Sequence, residues 1–197
     1  MTKSEQLEQV KQKIIDDKVC STLQAQAMSL VFGSGNPDAK IFFIGEAPGE
    51  AEDRSGEPFV GAAGKFLNEM LQSINLNRAD VYITNIVKYR PPNNRDPLPE
   101  EKQQFWSYLV DQIKIIQPRL IVTLGRHSLN CFEPAAKISV VHGKPQSVTL
   151  FSPSHKINKF EVILLPLYHP AAALYNGSMR KTLIEDFKQI KEISNIK

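Results

Sequence analysis

The sequence predicts an α/β fold in three layers, α/β/α, around a central four-stranded, mostly parallel sheet. Two observations carry this. Four short runs, residues 40–45, 81–87, 120–124 and 162–165, are apolar on successive positions, the pattern of strands buried on both faces. Stretches with helical spacing lie between them, and strands that alternate with helices imply parallel pairing through right-handed crossovers. The whole of 1–197 reads as one domain, with residues 1–30 as a helical segment packed on it.

Taken in order, Leu7, Val10, Ile14 and Ile15 recur at helical spacing and predict an amphipathic helix ending near Asp16-Asp17, with a less regular stretch to Leu30. Residues 33–37 are a turn. The first strand runs into a long polar loop, 46–60, followed by a helix over 61–74 carrying Phe66, Leu67, Met70 and Leu71. The second strand, 81–87, leads to Arg90-Pro91-Pro92-Asn93-Asn94-Arg95-Asp96-Pro97, whose prolines and asparagines forbid helix or strand. Phe105, Leu109, Ile113 and Ile116 restore helical periodicity over 98–117. The third strand ends at Gly125 before a short helix. Turns at 142–145 and 152–155 flank a short strand near Val148, and the fourth strand enters Pro166-Leu167-Tyr168-His169-Pro170. A last helix covers 179–193.

Composition narrows the field. The 197 residues are 42% hydrophobic and 23% charged, ordinary for a globular domain, with a formal net charge of +3. The mildly basic pI of about 8.8 permits a nucleic-acid partner without demanding one. Residues 1–6 lack the apolar core of a signal peptide, and no apolar run is long enough to span a bilayer. A cytoplasmic location (nucleoid-associated in a bacterium), no membrane partner and a monomer are therefore expected. The two cysteines, Cys20 and Cys131, cannot supply a four-thiolate site, and a disulfide is not expected in a cytosolic chain. The pattern GxxxxGK[ST] has no match, because Phe66 stands at the hydroxyl position after Gly64-Lys65, which argues against nucleoside triphosphate hydrolysis. His127, His142 and His155 have no metal-ligand spacing, so no metal is expected.

The loops after the four strands must open on one edge of the sheet, where open α/β folds bind ligands. They bring a carboxylate (Glu46), an aromatic ring (Phe59), an amide (Asn85) and an imidazole (His169). An amide offers a donor and an acceptor together, which suits a nucleobase edge. A loop phenylalanine is a stacking platform, and a histidine can donate to an oxygen that gains negative charge. Lys88, Arg90, Arg95, Arg126 and Arg180 are candidate contacts to DNA phosphates. Each also fits a plainer role: Glu46 as a turn residue or cap, Phe59 as core, His169 as structural, the cations as solvated. Asn85 is harder to set aside, since a buried amide without partners costs about 1–3 kcal/mol.

The residues Gly45-Glu46-Ala47-Pro48-Gly49, Glu52-Asp53-Arg54 and Gly56-x-Pro58-Phe59-Val60-Gly61-x-Ala63-Gly64 resemble the first motif of the family 4 uracil-DNA glycosylases. Thr84-Asn85-Ile86-Val87-Lys88 with Arg90-Pro91-Pro92 and Asn94-Arg95-Asp96-Pro97 resembles the second, and Leu124-Gly125-Arg126 and His169-Pro170-Ala171-Ala172 the later ones. The resemblance implies a DNA repair enzyme that flips uracil out of DNA and hydrolyses its N-glycosidic bond, leaving an abasic site. A non-catalytic DNA-binding member or a glycosylase for another deaminated base is the alternative. It implies that Glu46, Asn85 and His169 are catalytic. Glu46, Ala47, Phe59, Asn85 and His169 would line the base pocket: Phe59 stacking, Asn85 reading the base edge, His169 bonding O2. Ala47 stands where better-known uracil glycosylases carry a water-activating aspartate, and Gly49 leaves space beside the pyrimidine C5. The family holds an iron–sulfur cluster on four cysteines. Here Tyr89 precedes Arg90-Pro91-Pro92 and Cys20 lacks a CxxC partner, so no cluster is expected, and Tyr89, Phe105 and Trp106 would fill its place. The 88–97 loop contains no histidine, so covalent capture of DNA there is not expected.

Overall fold

The computed structural model describes residues 1–151 and 159–194. The chain opens with α1 (Lys3–Asp16), begun by a capping box in which Thr2 and Glu5 satisfy each other's backbone N–H, and a short α2 (Ser21–Gln24). β1 (Ser34–Gly35) and β2 (Ile41–Gly45) follow. The polar loop then carries a one-and-a-half-turn helix, α3 (Glu50–Ser55), before α4 (Ala62–Ser73). β3 (Tyr82–Asn85) leads through a 3-10 turn at Pro92–Asn94 to the long α5 (Pro99–Ile116). β4 (Leu120–Leu124), α6 (Arg126–Phe132) and α7 (Ile138–Val141) precede the antiparallel pair β5 (Gln146–Phe151) and β6 (Lys159–Leu167). The chain closes with α8 (Ala172–Tyr175), α9 (Gly177–Phe187) and α10 (Gln189–Ser194).

The sheet order is β1-β3-β2-β4-β6-β5. Its four central strands are parallel and are the four predicted from their apolar runs. The expectation of a four-stranded sheet is corrected to six. Each edge gains one antiparallel strand. β1 is two residues of a Gly-rich turn held by backbone pairing to β3, and β5 is the strand near Val148, longer than its sequence suggests. Ile86 and Val87 leave the strand but still donate to the carbonyls of Gly45 and Glu46, so the backbone stays paired into the site. The predicted turn at 152–155, with His155, lies outside the described residues.

The period-two alternation of a strand sorts β2 between two cores. Phe42 and Ile44 join Ile14, Phe105, Leu109, Ile113 and Ile121 on one face. Ile41 and Phe43 join Leu67, Met70, Ile83, Val122 and Phe187 on the other. Phe42 stacks on Tyr82 at 5.3 Å between ring centres, and Phe43 on Phe187 at 5.8 Å. The N-terminal segment is tied to the site loop by the buried Asp53, whose Oδ1 accepts from the backbone N–H of Met28 at 2.9 Å and Ser29 at 3.1 Å. Among the described residues no helix is long and apolar enough to cross a membrane.

Asp53→Ala strands both amides; urea unfolding is expected to show a loss of about 2 kcal/mol, and a loss under about 0.5 kcal/mol would show that water replaces the carboxylate.

Candidate active site

Parallel pairing puts Gly45 directly beside Asn85 at the carboxyl ends of β2 and β3. Two strands across, β6 ends at Leu167 and delivers His169, with Gly125 at the end of β4 between them. The Gly125 N–H donates to Leu167 O at 2.8 Å, and its φ of +94° suits glycine, which keeps the chain close to the His169 side chain. The result is a cavity of about 400 Å³ at the sheet's carboxyl edge. Glu46, Ala47, Phe59, Asn85 and His169 all line it, so the fold brings together every residue expected in the pocket.

Gly45 decides how tightly they converge. A Cβ there would lie 2.6 Å from the Phe59 ring and inside contact distance of Asn85 Oδ1. The bare backbone lets ring and amide meet around it. Phe59 is itself held with φ +52°, an uncommon left-handed conformation for a bulky residue that costs on the order of 1–3 kcal/mol. Several contacts hold it there. Arg78 Nη1 donates to Phe59 O at 3.1 Å and Nη2 donates to Pro58 O. Gly64 leaves room for the Phe59 backbone, whose Cα would sit 2.8 Å from any Cβ at that position. Glu52 spans the loop, accepting from Val60 and Gly61 N–H at 2.9 Å through one oxygen and from Gly49 N–H at 3.2 Å through the other. Arg78 escaped sequence reasoning because its partners are backbone carbonyls nearly twenty positions away.

The Ala171 N–H donates to His169 Nδ1 at 3.2 Å. That nitrogen is therefore the acceptor, and in the neutral ring the proton sits on Nε2. Burial pushes the imidazole down to about 4, against the pull of Glu52. At neutral pH His169 is a neutral N–H donor. Its ring lies 5.7 Å from that of Phe59, tilted by 30°. Glu46 behaves oppositely: burial, helped by the nearby Asp96 charge, raises its carboxyl to about 7.

His127 was set aside by its spacing, yet its Nε2 lies 3.9 Å from Glu46 and 3.1 Å from Asp96. The ligand atoms of Glu46, Asp96 and His127 lie within 4.8 Å of one another. Three loops distant in sequence meet there, which no spacing rule detects. Arg126 Nη2 donates to Asp96 at 2.9 Å and already supplies the positive charge, so the trio reads as an ion-pair network.

Lys88, expected to contact phosphate, requires correction. It is fully buried, its Nζ held behind the pocket by Thr84, Asn85 O and Gln112. Its place on the inward face of the chain after β3 removes it from any phosphate. Arg90 bonds Asn94 Oδ1 at 2.8 Å, Arg95 makes a two-pronged pair with Glu101, and Arg126 pairs with Asp96, all on the loops around the cavity. Arg180 pairs with Glu69 and lies over the Phe66 ring at 4.4 Å.

Tyr89 and Phe105 are both buried and meet edge to face at 6.0 Å, near Cys20, whose Sγ lies 3.7 Å from Glu101 O. Trp106 instead packs on Phe132 at 5.3 Å, apart from that pair. One thiol, pushed up to about 12 by burial, does not fit a thiolate-ligated cluster.

The pocket at the carboxyl edge of this α/β/α sheet thus presents an aromatic ring, an amide and a neutral histidine donor, groups suited to a flat, hydrogen-bonding heterocycle. The description Uracil DNA glycosylase superfamily matches residues 32–191, and the chain belongs to that superfamily. It is 48% identical to the type-4 uracil-DNA glycosylase of Sulfurisphaera tokodaii, covering 95% of this chain and 84% of that one. It is 45% identical to the type-4 uracil-DNA glycosylase of Archaeoglobus fulgidus (96% and 94% covered) and 38% identical to that of Thermotoga maritima (96% and 95%).

Gly45→Ala is expected to abolish the pocket while leaving the strands paired: activity on a cognate substrate falls by at least about 10²-fold with an unchanged circular dichroism spectrum. Retention of half the activity would show that Phe59 and Asn85 need not touch.

Proposed function

We propose that this chain excises uracil from DNA by hydrolysing the N-glycosidic bond, leaving an abasic site. The observation that carries the reading is the convergence of a neutral His169 donor, the Asn85 amide and the Phe59 ring on one cavity. The identity to type-4 uracil-DNA glycosylases over nearly the whole chain supports it.

In this reading the uracil nucleotide swings out of the duplex, at a cost of a few kcal/mol that stacking and edge hydrogen bonds offset. Uracil stacks on Phe59, and Asn85 pairs with N3–H and O4 through its acceptor and donor. His169 Nε2–H donates to O2. As the C1′–N1 bond breaks, its electron pair leaves with the base, O2 gains negative charge, and the hydrogen bond to His169 strengthens. A neutral donor suits this role because it keeps its proton near physiological pH. The sugar passes through an oxocarbenium-like state, as in glycoside hydrolysis. Glu46, once ionised, stabilises that cation, and water adds to C1′ while its proton passes through solvent to the departing uracil anion. Arg90, Arg95 and Arg126 serve the phosphates once DNA displaces their present partners. Tyr175, 90% exposed on the cavity rim, and Leu174 beside it are apolar groups suited to fill the space a flipped nucleotide vacates.

The enzyme in this reading is a monomer, works in the cytoplasm where DNA is accessible, and needs no iron–sulfur cluster. Tyr89 and Phe105 supply apolar packing where the family resemblance would call for thiolates. Purified protein is expected to be colourless, without iron; a charge-transfer band in the visible would overturn this part.

Release of free uracil from single- or double-stranded U-containing oligonucleotides tests the function directly, and no release from either defeats it. His169→Ala should slow single-turnover release by about 10²–10³-fold with DNA affinity nearly unchanged, whereas equal loss of both would make His169 structural. Because the Glu46 carboxyl is raised to about 7, its active carboxylate forms as pH rises through that value. The rate should therefore climb about tenfold between about pH 6 and 8, and Glu46→Gln should flatten the profile. A wild-type profile already flat there would remove Glu46 from the chemistry.

A further inference from the structure

Directly behind the pocket wall lies a buried lysine amine that the mechanism above does not use. Lys88 is fully buried, and its Nζ donates to Thr84 Oγ1 at 2.6 Å, Asn85 O at 2.7 Å and Gln112 Oε1 at 2.6 Å. Each partner is neutral, and no carboxylate is among them. The protons of two are committed elsewhere: Thr84 Oγ1 donates to Phe32 O at 2.7 Å, and Gln112 Nε2 donates to the same oxygen at 3.1 Å. Asn85 O has no proton to give. Three acceptors therefore face Nζ, and only the ammonium form has three N–H groups to meet them. The Phe32 ring, 5.9 Å from Nζ, adds a further weakly favourable contact for a cation.

A buried ammonium without a counter-ion is costly, and desolvation works to neutralise it; burial alone pushes its pKa well below the usual lysine value. A fold that retains such a group and satisfies every proton on it holds positive charge in a low-dielectric wall. The group it grips is the carbonyl of Asn85, the residue whose side chain lines the cavity.

We propose that Lys88 is a built-in buried cation that stabilises the negative charge arising on the departing base, acting as a positioning residue through the Asn85 end of β3. The proposal rests on the glycosylase reading and deepens it. Pre-oriented charge of this kind costs no reorganisation at the moment the bond breaks, so it favours the transition state over the bound substrate. Phosphate binding is no part of its role, which is why it can be buried.

The test compares wild type, Lys88→Met and Lys88→Gln in single-turnover release of uracil and of 5-fluorouracil from the same duplex. Fluorine withdraws electrons and stabilises the leaving anion, so that base needs less help from the protein. Binding is measured separately with an oligonucleotide carrying 2′-fluoro-2′-deoxyuridine, whose glycosidic bond resists cleavage. Lys88→Met is expected to slow uracil release by about 10²-fold, 5-fluorouracil release about tenfold less, and to leave affinity within about threefold. Lys88→Gln, which keeps donors without charge, should track Lys88→Met. Equal slowing on both bases, affinity falling in parallel with rate, or wild-type rates in Lys88→Gln each overturn the proposal. If neither variant folds, nitrogen-15 NMR of the wild-type lysine side chains decides: an Nζ ammonium signal shielded from exchange at neutral pH is expected, and a neutral amine overturns it. A wild type that releases neither base overturns the glycosylase reading together with this one, whereas an active wild type with unaffected variants overturns this one alone.

Discussion

The close approach permitted at Gly45 is the constraint on which the site depends. Parallel register sets Asn85 beside it, and the absence of a Cβ lets the amide and the Phe59 ring close around the backbone. Bringing Phe59 there requires a left-handed backbone at a bulky residue, and an isolated loop would relax out of it. Arg78 on the carbonyls of Pro58 and Phe59, Glu52 across the loop and the missing side chain at Gly64 together over-determine that conformation. The motif's glycines and acids are thus mostly scaffold. They position a ring and an amide within one residue's width of each other, and the chemistry is left to few groups.

Desolvation is the common cause behind the site's electrostatics. It keeps His169 neutral and a donor, holds Glu46 near its midpoint at neutral pH, and opposes the charge on Lys88, whose Nζ meets only neutral acceptors. The same low dielectric that makes each of these costly strengthens every interaction with charge developing in the cavity. The wall toward solvent is different: Asp96, Arg126 and His127 pair with one another and screen the rim.

The N-terminal segment and α5 meet through polar contacts beside a buried aromatic pair. Tyr89 and Phe105 pack beside the Cys20 thiol, the Cys20 N–H bonds Gln104 Oε1 at 3.0 Å, and Tyr108 bonds Asp17 at 2.6 Å. Arg95, which lines the cavity, is clamped by Glu101 on the same helix. The Arg95–Glu101 ion pair therefore links α5 to the active-site loop after β3, as Asp53 links the N-terminal segment to the one after β2.

The sequence by itself determined the four central strands, their parallel pairing and the edge on which their loops open. Runs that are apolar on both faces have one stable home, and α/β alternation leaves little topological choice. Glu46, Asn85 and His169 were legible at or just past strand ends, and Phe59 on the loop that follows β2. Tertiary structure alone decided the rest. β1 is a Ser-Gly pair held by backbone pairing, which leaves no side-chain pattern to read, and β5 extends beyond the short strand near Val148 because it pairs along β6. Lys88 and Arg90 look alike in sequence, but one turns inward to three neutral acceptors and the other to the surface, a difference that only the fold's packing makes. Arg78, His127 and Asp96 join the site across long separations, and only folding brings their partners within reach. Charge state, too, belongs to the fold: a histidine and a glutamate take their protons from the burial around them, which no spacing along the chain records.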